Sequence, residues 1–331
     1  MGSQFLNGPL SQLQEIFLSK LIFFWLVCVF SVPELSAKVR FLSFQYNRPD
    51  FLEFQCKLLE KFVLDDYELI VFNDAANPDL EIAIRDVCEK NSIQYVRFEQ
   101  KWHRTDPLNE YIYHVLHQFH IEYNSMFTFS NGIATVEEIS QHPGIRHNHV
   151  IQYALDHFGY DHDDIVVILD HDLFPMKPIS IRMLLKDVPL VGIERIEKSG
   201  ITHIWVPFVA FDPKRLPNIR DLKFHGDVID NCYYDSGTSS YYYLKNNPRV
   251  PYKLCPRSYD KEFYHLPFRK LKDFGFSREE IVLIKNLPGP GCIEFYVDHQ
   301  FLHYVGGYID FDPIKQAAVV NFLKTLLKKP T

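Results

Sequence analysis

From Lys38 onward, short apolar runs alternate with stretches whose apolar residues recur at helical spacing. Residues 39–44 (VRFLSF) predict a strand, and Asn47-Arg48-Pro49-Asp50 predicts a turn that opens a helix. In that helix Asp50 is the expected cap, with Phe51, Leu52, Leu58, Leu59 and Phe62 along one face. Residues 67–72 (YELIVF) read as a second strand ending in the polar turn Asn73-Asp74-Ala75-Ala76-Asn77-Pro78. An amphipathic helix at 80–91 and a third strand at 93–98 (IQYVRF) follow. This βαβαβ order predicts a parallel sheet, since each crossover helix returns the chain to start its next strand in the same direction.

Residues 101–142 are aromatic and His-rich, with one helix expected near 109–119. A helix is expected at 144–158, then a strand at 165–169 whose five consecutive apolar residues read as a parallel strand buried on both faces. Later strands are expected at 188–193 and 205–211, a loop and helix at 235–245, and a closing amphipathic helix at 313–328. The expected fold class is therefore α/β, with a Rossmann-like, mostly parallel central sheet flanked by helices. It would form a single domain with an elaborated C-terminal half, divided as 38–180 and 181–331.

The N-terminal segment 1–37 is different. Residues 21–32 (LIFFWLVCVFSV) form an uncharged apolar run after Lys20, shorter than the ~20 residues a membrane span requires. The length suits a signal-peptide core, although one Lys precedes it and Leu35-Ser36-Ala37 is an imperfect cleavage site. Signal peptide, membrane anchor and docked apolar helix all remain open. The location expected is cytoplasmic or membrane-associated, or a secretory lumen in a eukaryotic cell.

With 331 residues, 47% of them hydrophobic, the chain can bury a sizeable core. A net charge of −7 without any Lys/Arg run argues against nucleic acid as a partner. The cysteines (Cys28, Cys56, Cys88, Cys232, Cys255, Cys292) have no metal-type spacing, which argues against a zinc ribbon or disulfide framework. No phosphate-loop or nucleophile-elbow pattern is present, and Gly289-Pro290-Gly291 reads as a tight turn. His114, His117 and His120 are better read as a polar helix surface than as a zinc site, because the third has rotated off the face of the first. Tyr241-Tyr242-Tyr243 could face a sugar or fill the core.

The tripeptide Asp-His-Asp occurs twice, at 161–163 and 170–172, on either side of the strand at 165–169. A five-residue strand spans roughly 17 Å, so the copies must lie at opposite ends of the sheet. Ligands of open α/β sheets bind beyond the carboxyl ends of the strands. The first copy then reads as a solvated turn beside Gly159. In the second, the carboxylates of Asp170 and Asp172 can converge on a divalent cation, or else form another acidic turn.

Residues 165–178 (IVVILDHDLFPMKP) resemble the Asp-x-Asp segment of GT-A-type, family-2-like glycosyltransferases. Three further stretches resemble that family in order: Phe44-Gln-Tyr-Asn-Arg-Pro-Asp50, Ile70-Val-Phe-Asn-Asp74 and Gly144-Ile-Arg-His-Asn148. The resemblance covers about residues 38–180. It implies a GT-A-like fold and transfer of a sugar from a nucleotide-diphosphate donor to a glycan, lipid or protein acceptor. By the same resemblance, Asn47, Arg48 and Asp74 would hold the nucleoside, and Arg146 and Asn148 the diphosphate or sugar. Asp170 and Asp172 would hold Mn2+ or Mg2+, with Asp170 also reaching the ribose. The competing, less favoured reading of Arg48 is an ordinary surface residue before Pro49.

In the second half, residues 205–212 (WVPFVAFD) resemble the strand after the acceptor loop, and Asp235-Ser-Gly-Thr238 a segment near the acceptor. His303-Tyr-Val-Gly-Gly307 resembles a late His that completes metal coordination. The Glu-Asp pair that supplies the base in many inverting members is missing. Asp235 is the candidate base, with Asp230 behind it, while the plain reading of Asp235 is a helix cap. Two alternatives stand beside a transferase. A nucleotidyltransferase would carry a Gly-rich loop where this chain has Tyr46-Asn-Arg-Pro-Asp50. A catalytically inactive GT-A-like binding module would not need the intact Asp170 and Asp172.

Overall fold

The computed structural model describes residues 38–118, 135–230, 232–259, 263–287, 291, 293–305 and 313–328. The apolar run at 21–32, His120 and the glycines after Val305 lie outside the described residues.

Strand β1 (Val39–Gln45), helix α1 (Pro49–Phe62), strand β2 (Tyr67–Asn73), helix α2 (Pro78–Lys90) and strand β3 (Gln94–Arg97) form a parallel βαβαβ run. Short helices α3 (Gln100–Thr105), α4 (Pro107–Gln118) and α5 (Val136–Gln141) lead to α6 (Pro143–Ala154), which widens into a π-helical turn at Leu155–Gly159. Strand β4 (Val166–Asp170) then pairs parallel to β1 on the side away from β2. After β5 (Leu173–Pro175), the hairpin β6 (Leu190–Ile196) and β7 (Thr202–Phe211) extends the sheet, with β7 paired antiparallel to β4. The small hairpin β8 (Asp227–Ile229) and β9 (Cys232–Tyr234), helix α7 (Ser240–Asn246) and strand β10 (Lys253–Cys255) follow. The central sheet has seven strands in the order β10-β6-β7-β4-β1-β2-β3, mostly parallel, and helices flank it.

Alternation along the strands divides the core between the two sheet faces. Phe41, Val71, Val167 and Leu169 pack on one face with Leu52 and Leu59 of α1. Leu42, Ile70, Val166 and Ile168 pack on the other with Val150, Ile151 and Ala154 of α6. The five-residue apolar run is thus covered on both sides, as a central strand requires.

Sequence reading did not anticipate the second sheet. Strands β11 (Ser258–Tyr259), β12 (Ile293–Tyr296) and β13 (Phe301–Tyr304) join β5 in an antiparallel sheet, ordered β11-β12-β13-β5. Helices α8 (Phe268–Asp273), α9 (Arg278–Asn286) and α10 (Pro313–Lys328) complete this part. Phe174, Phe295 and Leu302 pack there against Phe51 and Leu58 of α1 and against Val319, Phe322 and Leu323 of α10. Its strands are two to four residues long, too short for a period-2 pattern to stand out.

Asp50 is not the cap of α1. Pro49 takes the first helical position, Arg48 is the cap residue, and Asp50 in the first turn pairs with Arg48 at 2.8 Å.

Candidate active site

The second Asp-His-Asp is the step between the two sheets: β4 ends on Asp170 and β5 starts at Leu173. Gln55 of α1, fully buried, holds this step in place. Its Nε2 donates to the carbonyls of Asp170 (2.8 Å) and Leu173 (3.0 Å), while its Oε1 accepts from Ser43 Oγ (2.6 Å). Gln55 falls on the apolar stripe of α1, and a polar residue there is the signal that sequence reading missed. Gln55→Leu leaves two buried carbonyls unsatisfied, at about 1–3 kcal/mol each. Urea unfolding should show a loss of roughly 2–4 kcal/mol; an unchanged midpoint would mean the turn does not depend on this side chain.

His303 arrives from the other sheet. It lies opposite Leu173 in the β13–β5 ladder, and the Tyr304 N–H donates to the Asp172 carbonyl at 3.0 Å. One ligand atom from each of Asp170, Asp172 and His303 then lies within 4.8 Å of the others. His303 Nε2 is 3.2 Å from Asp172 Oδ1. Its Nδ1 faces Glu294 Oε2 at 3.2 Å and the Tyr296 hydroxyl at 2.8 Å. Glu294, directly opposite His303 in the β12–β13 ladder, is itself held by Arg257 at 2.5 Å. A carboxylate behind an imidazole in this way orients the ring and raises its basicity as a ligand.

The electrostatics fit a cation. Burial opposes a charged His303, yet Asp172 and Glu294 outweigh it and raise the imidazole to about 10. Burial likewise opposes an ionised Asp170, but His147 and His171 hold it well below the usual carboxylate range. Glu294 is held down to about 2, against burial, by His303 and Arg257. The buried Asp172 and the partly buried Asp170 meet at one point, with Glu294 behind His303, and such a concentration of carboxylates calls for positive charge there. Two carboxylates and an imidazole Nε2 suit a divalent ion of the Mn2+ or Mg2+ type.

These residues stand on the wall of a cavity of about 310 Å3, whose lining includes Tyr46, Asp74, Arg146, Trp205 and Asp235. Asp235 lies in the turn before α7, whose cap residue is Ser239, so Asp235 is not a helix cap. Its Oδ1 accepts from the Ser236 N–H at 2.6 Å, and its Oδ2 is 3.7 Å from Arg195. Asp230 is exposed in the β8–β9 turn with φ 51° and does not line the cavity.

The remaining predicted nucleotide contacts separate. Asp74 and Arg146 line the cavity but bind each other, with Arg146 Nη2 3.1 Å from both carboxylate oxygens and 2.7 Å from Gln100 Oε1. Asn47 (φ 54°) accepts from the Ala76 N–H at 3.2 Å and so ties the turn after β1 to the turn after β2. Arg48 is buried, its guanidinium 3.3 Å over the Phe51 ring. Asn148 is buried in α6 away from the cavity lining, and neither amide atom has a hydrogen-bond partner among the described residues. The first Asp-His-Asp is a solvated turn: Asp163 pairs with Lys214 at 3.0 Å and Asp161 with Arg220, all exposed.

Behind Asp74 lies a buried histidine pair. His103 Nε2 is 2.6 Å from Asp74, and His103 Nδ1 is 3.2 Å from His149 Nδ1. Burial, then His103 and Arg146, pull His149 down to about 3. The unfolded chain protonates this residue near pH 6.5, so below that pH the unfolded state binds a proton that the folded state refuses. Stability should therefore fall as pH drops from 6.5 towards 3, by up to roughly 1.4 kcal/mol per unit from this residue. His162 and His299, also lowered by burial, act in the same direction. His149→Phe should flatten the slope between pH 6.5 and 5 in urea unfolding. A slope equal to wild type would remove His149 as its cause.

No protein-family model matches the chain, and no curated protein does. Solved structures similar to it include the galactosyltransferase LgtC in complex with donor and acceptor sugar analogues, at 11% identity over 88% of this chain and 97% of that one, TM-score 0.40. The mannosyltransferase PcManGT from Pyrobaculum calidifontis, in complex with GDP-Man and Mn2+, is 15% identical over 72% of this chain, TM-score 0.36. This chain spans 63% of that protein's length. Glucosyl-3-phosphoglycerate synthase from Mycobacterium tuberculosis, with Mn2+, UDP and glucosyl-3-phosphoglycerate, is 13% identical over 81% of this chain and 87% of that one, TM-score 0.34.

Proposed function

We propose that this chain is a metal-dependent glycosyltransferase that moves a sugar from a nucleotide-diphosphate donor to an acceptor hydroxyl. The observation that carries the reading is the convergence of Asp170, Asp172 and His303 from two sheets on one cavity that Asp235 also lines. A Mn2+ or Mg2+ ion held by these three would supply Lewis-acid charge to the leaving diphosphate. Glu294 and Tyr296 fix the His303 ring so that Nε2 faces the site. The Tyr46 ring, 5.4 Å from the Arg146 guanidinium, offers a flat wall for a nucleoside base. Asp235, across the cavity lining, would take the proton from the acceptor hydroxyl.

Calorimetric titration of a nucleoside-diphosphate panel, with and without Mn2+, tests this reading. At least one should bind only with the metal; if none does, the catalytic proposal fails. Once the donor is identified, Asp235→Asn should lower turnover by about 10²–10⁴-fold with donor affinity unchanged. Equal turnover in the variant would remove Asp235 as the base.

A further inference from the structure

The three consecutive tyrosines of α7 have different fates. Tyr243 is buried, its hydroxyl donating to the Pro217 carbonyl at 2.8 Å, and the Tyr242 hydroxyl donates to the Val228 carbonyl at 2.8 Å. Tyr241 instead lines a second, open cavity of about 410 Å3, together with Ser199, Gly200, Thr202, Lys245 and Tyr252. Tyr252 is 42% exposed, and neither its hydroxyl nor that of Tyr241 makes a hydrogen bond among the described residues. Lys245 Nζ lies 5.4 Å from the Tyr241 ring centre.

Two contacts link this groove to Asp235, which lines the first cavity. The Tyr234 hydroxyl donates to Ser199 Oγ at 2.7 Å, and the next residue along the chain is Asp235. The β6–β7 hairpin that carries Ser199 also carries Arg195, which is 3.7 Å from Asp235 and 2.8 Å from Glu197.

We propose that the groove binds the sugar residues of an oligosaccharide acceptor that lie next to the hydroxyl presented at Asp235. The proposal rests on the glycosyltransferase reading and names its acceptor class. A pyranose has a face of C–H groups and a rim of hydroxyls. Tyrosine meets both, with an apolar ring and a polar edge. Ser199, Thr202 and Lys245 supply further donors and acceptors for the rim. A lipid tail would leave these polar groups without partners, so the lining favours a sugar over an acyl chain. The volume lies within the about 300–1,000 Å3 usual for small-molecule sites.

The test uses the whole protein without nucleotide and with EDTA present. Mannotriose, maltotriose, cellotriose and triacetylchitotriose are titrated by saturation-transfer difference NMR. At least one should bind, and Tyr241→Ala and Tyr252→Ala should each weaken it about tenfold, the loss of one packed ring. Tyr241→Phe, which keeps the ring, should stay within about threefold of wild type. Asp161→Asn, in the exposed turn outside both cavities, should bind the trisaccharide as wild type does. If no trisaccharide binds, or if both Ala variants bind unchanged, the proposal is overturned. Failure of the donor site alone would look different: trisaccharide binding would persist while no nucleoside diphosphate bound with Mn2+.

Discussion

Asp172→Asn should abolish Mn2+-dependent binding of nucleoside diphosphates and lower transfer by about three orders of magnitude or more, the rate equivalent of several kcal/mol of charge stabilisation. Asp172 is 3% exposed, it faces His303, and its own backbone is fixed by the Tyr304 N–H and by the turn that Gln55 holds. The amide keeps the shape and removes the charge, so His303 loses one of the two carboxylates that raise its basicity, and Glu294 remains behind it. Asp161→Asn provides the contrast. That carboxylate is exposed and, among the described residues, paired only with the exposed Arg220, and such pairs contribute about 0–1 kcal/mol. Metal-dependent binding should be unchanged in it. Equal losses from the two substitutions would place the site at the wrong end of β4.

Gly237→Ala should cost roughly 3–5 kcal/mol of stability, summing a strained backbone conformation and an overpacked contact. Gly237 has φ +91°, and a Cβ there would sit 2.0 Å from the Ile204 carbonyl oxygen. Backbone cannot rotate out of the way as a side chain can, so the turn from Asp235 to Thr238 must move. Gly200→Ala separates the two terms. It has φ +84° but nothing within 4 Å of its Cβ, so only the conformational cost of about 1–2 kcal/mol applies. Urea midpoints of the two variants measure the difference; equal losses would mean that the contact with Ile204 carries no weight. Because the same turn presents Asp235 to the cavity, Gly237→Ala should also lower turnover in the fraction that folds.

Some of this molecule is legible in its pattern of apolar residues. Strands β1 to β4 and helices α1, α2, α6 and α10 stand where hydrophobic periodicity puts them: β1, β2 and β4 bury most of their residues, and each of these helices buries one apolar face. The unequal positions of the two Asp-His-Asp copies are legible too, one in an exposed turn and one on the cavity wall, since strand direction decides which end of a parallel sheet opens to ligands. Local pattern says little about where a polar side chain is used. Arg48, Asn47 and Asn148 sit in recognisable stretches, yet the fold turns them to a stacked ion pair, a turn latch and a buried helix face. Asp230 and Asp235 both look like candidate bases. Only Asp235 lines the cavity, because the β8–β9 hairpin carries Asp230 to the surface.

Sequence alone therefore determines the α/β class, the central buried strand and the acidic step at its carboxyl end, because burial periodicity and strand polarity are local properties of the chain. Tertiary structure alone decides that β13 pairs with β5 and not with the central sheet. That pairing sets His303 against Asp172, and Glu294 and Tyr296 behind it. The physical reason is register: strands of two to four residues carry too little pattern to name their partner, and packing against α1 and α10 makes the choice.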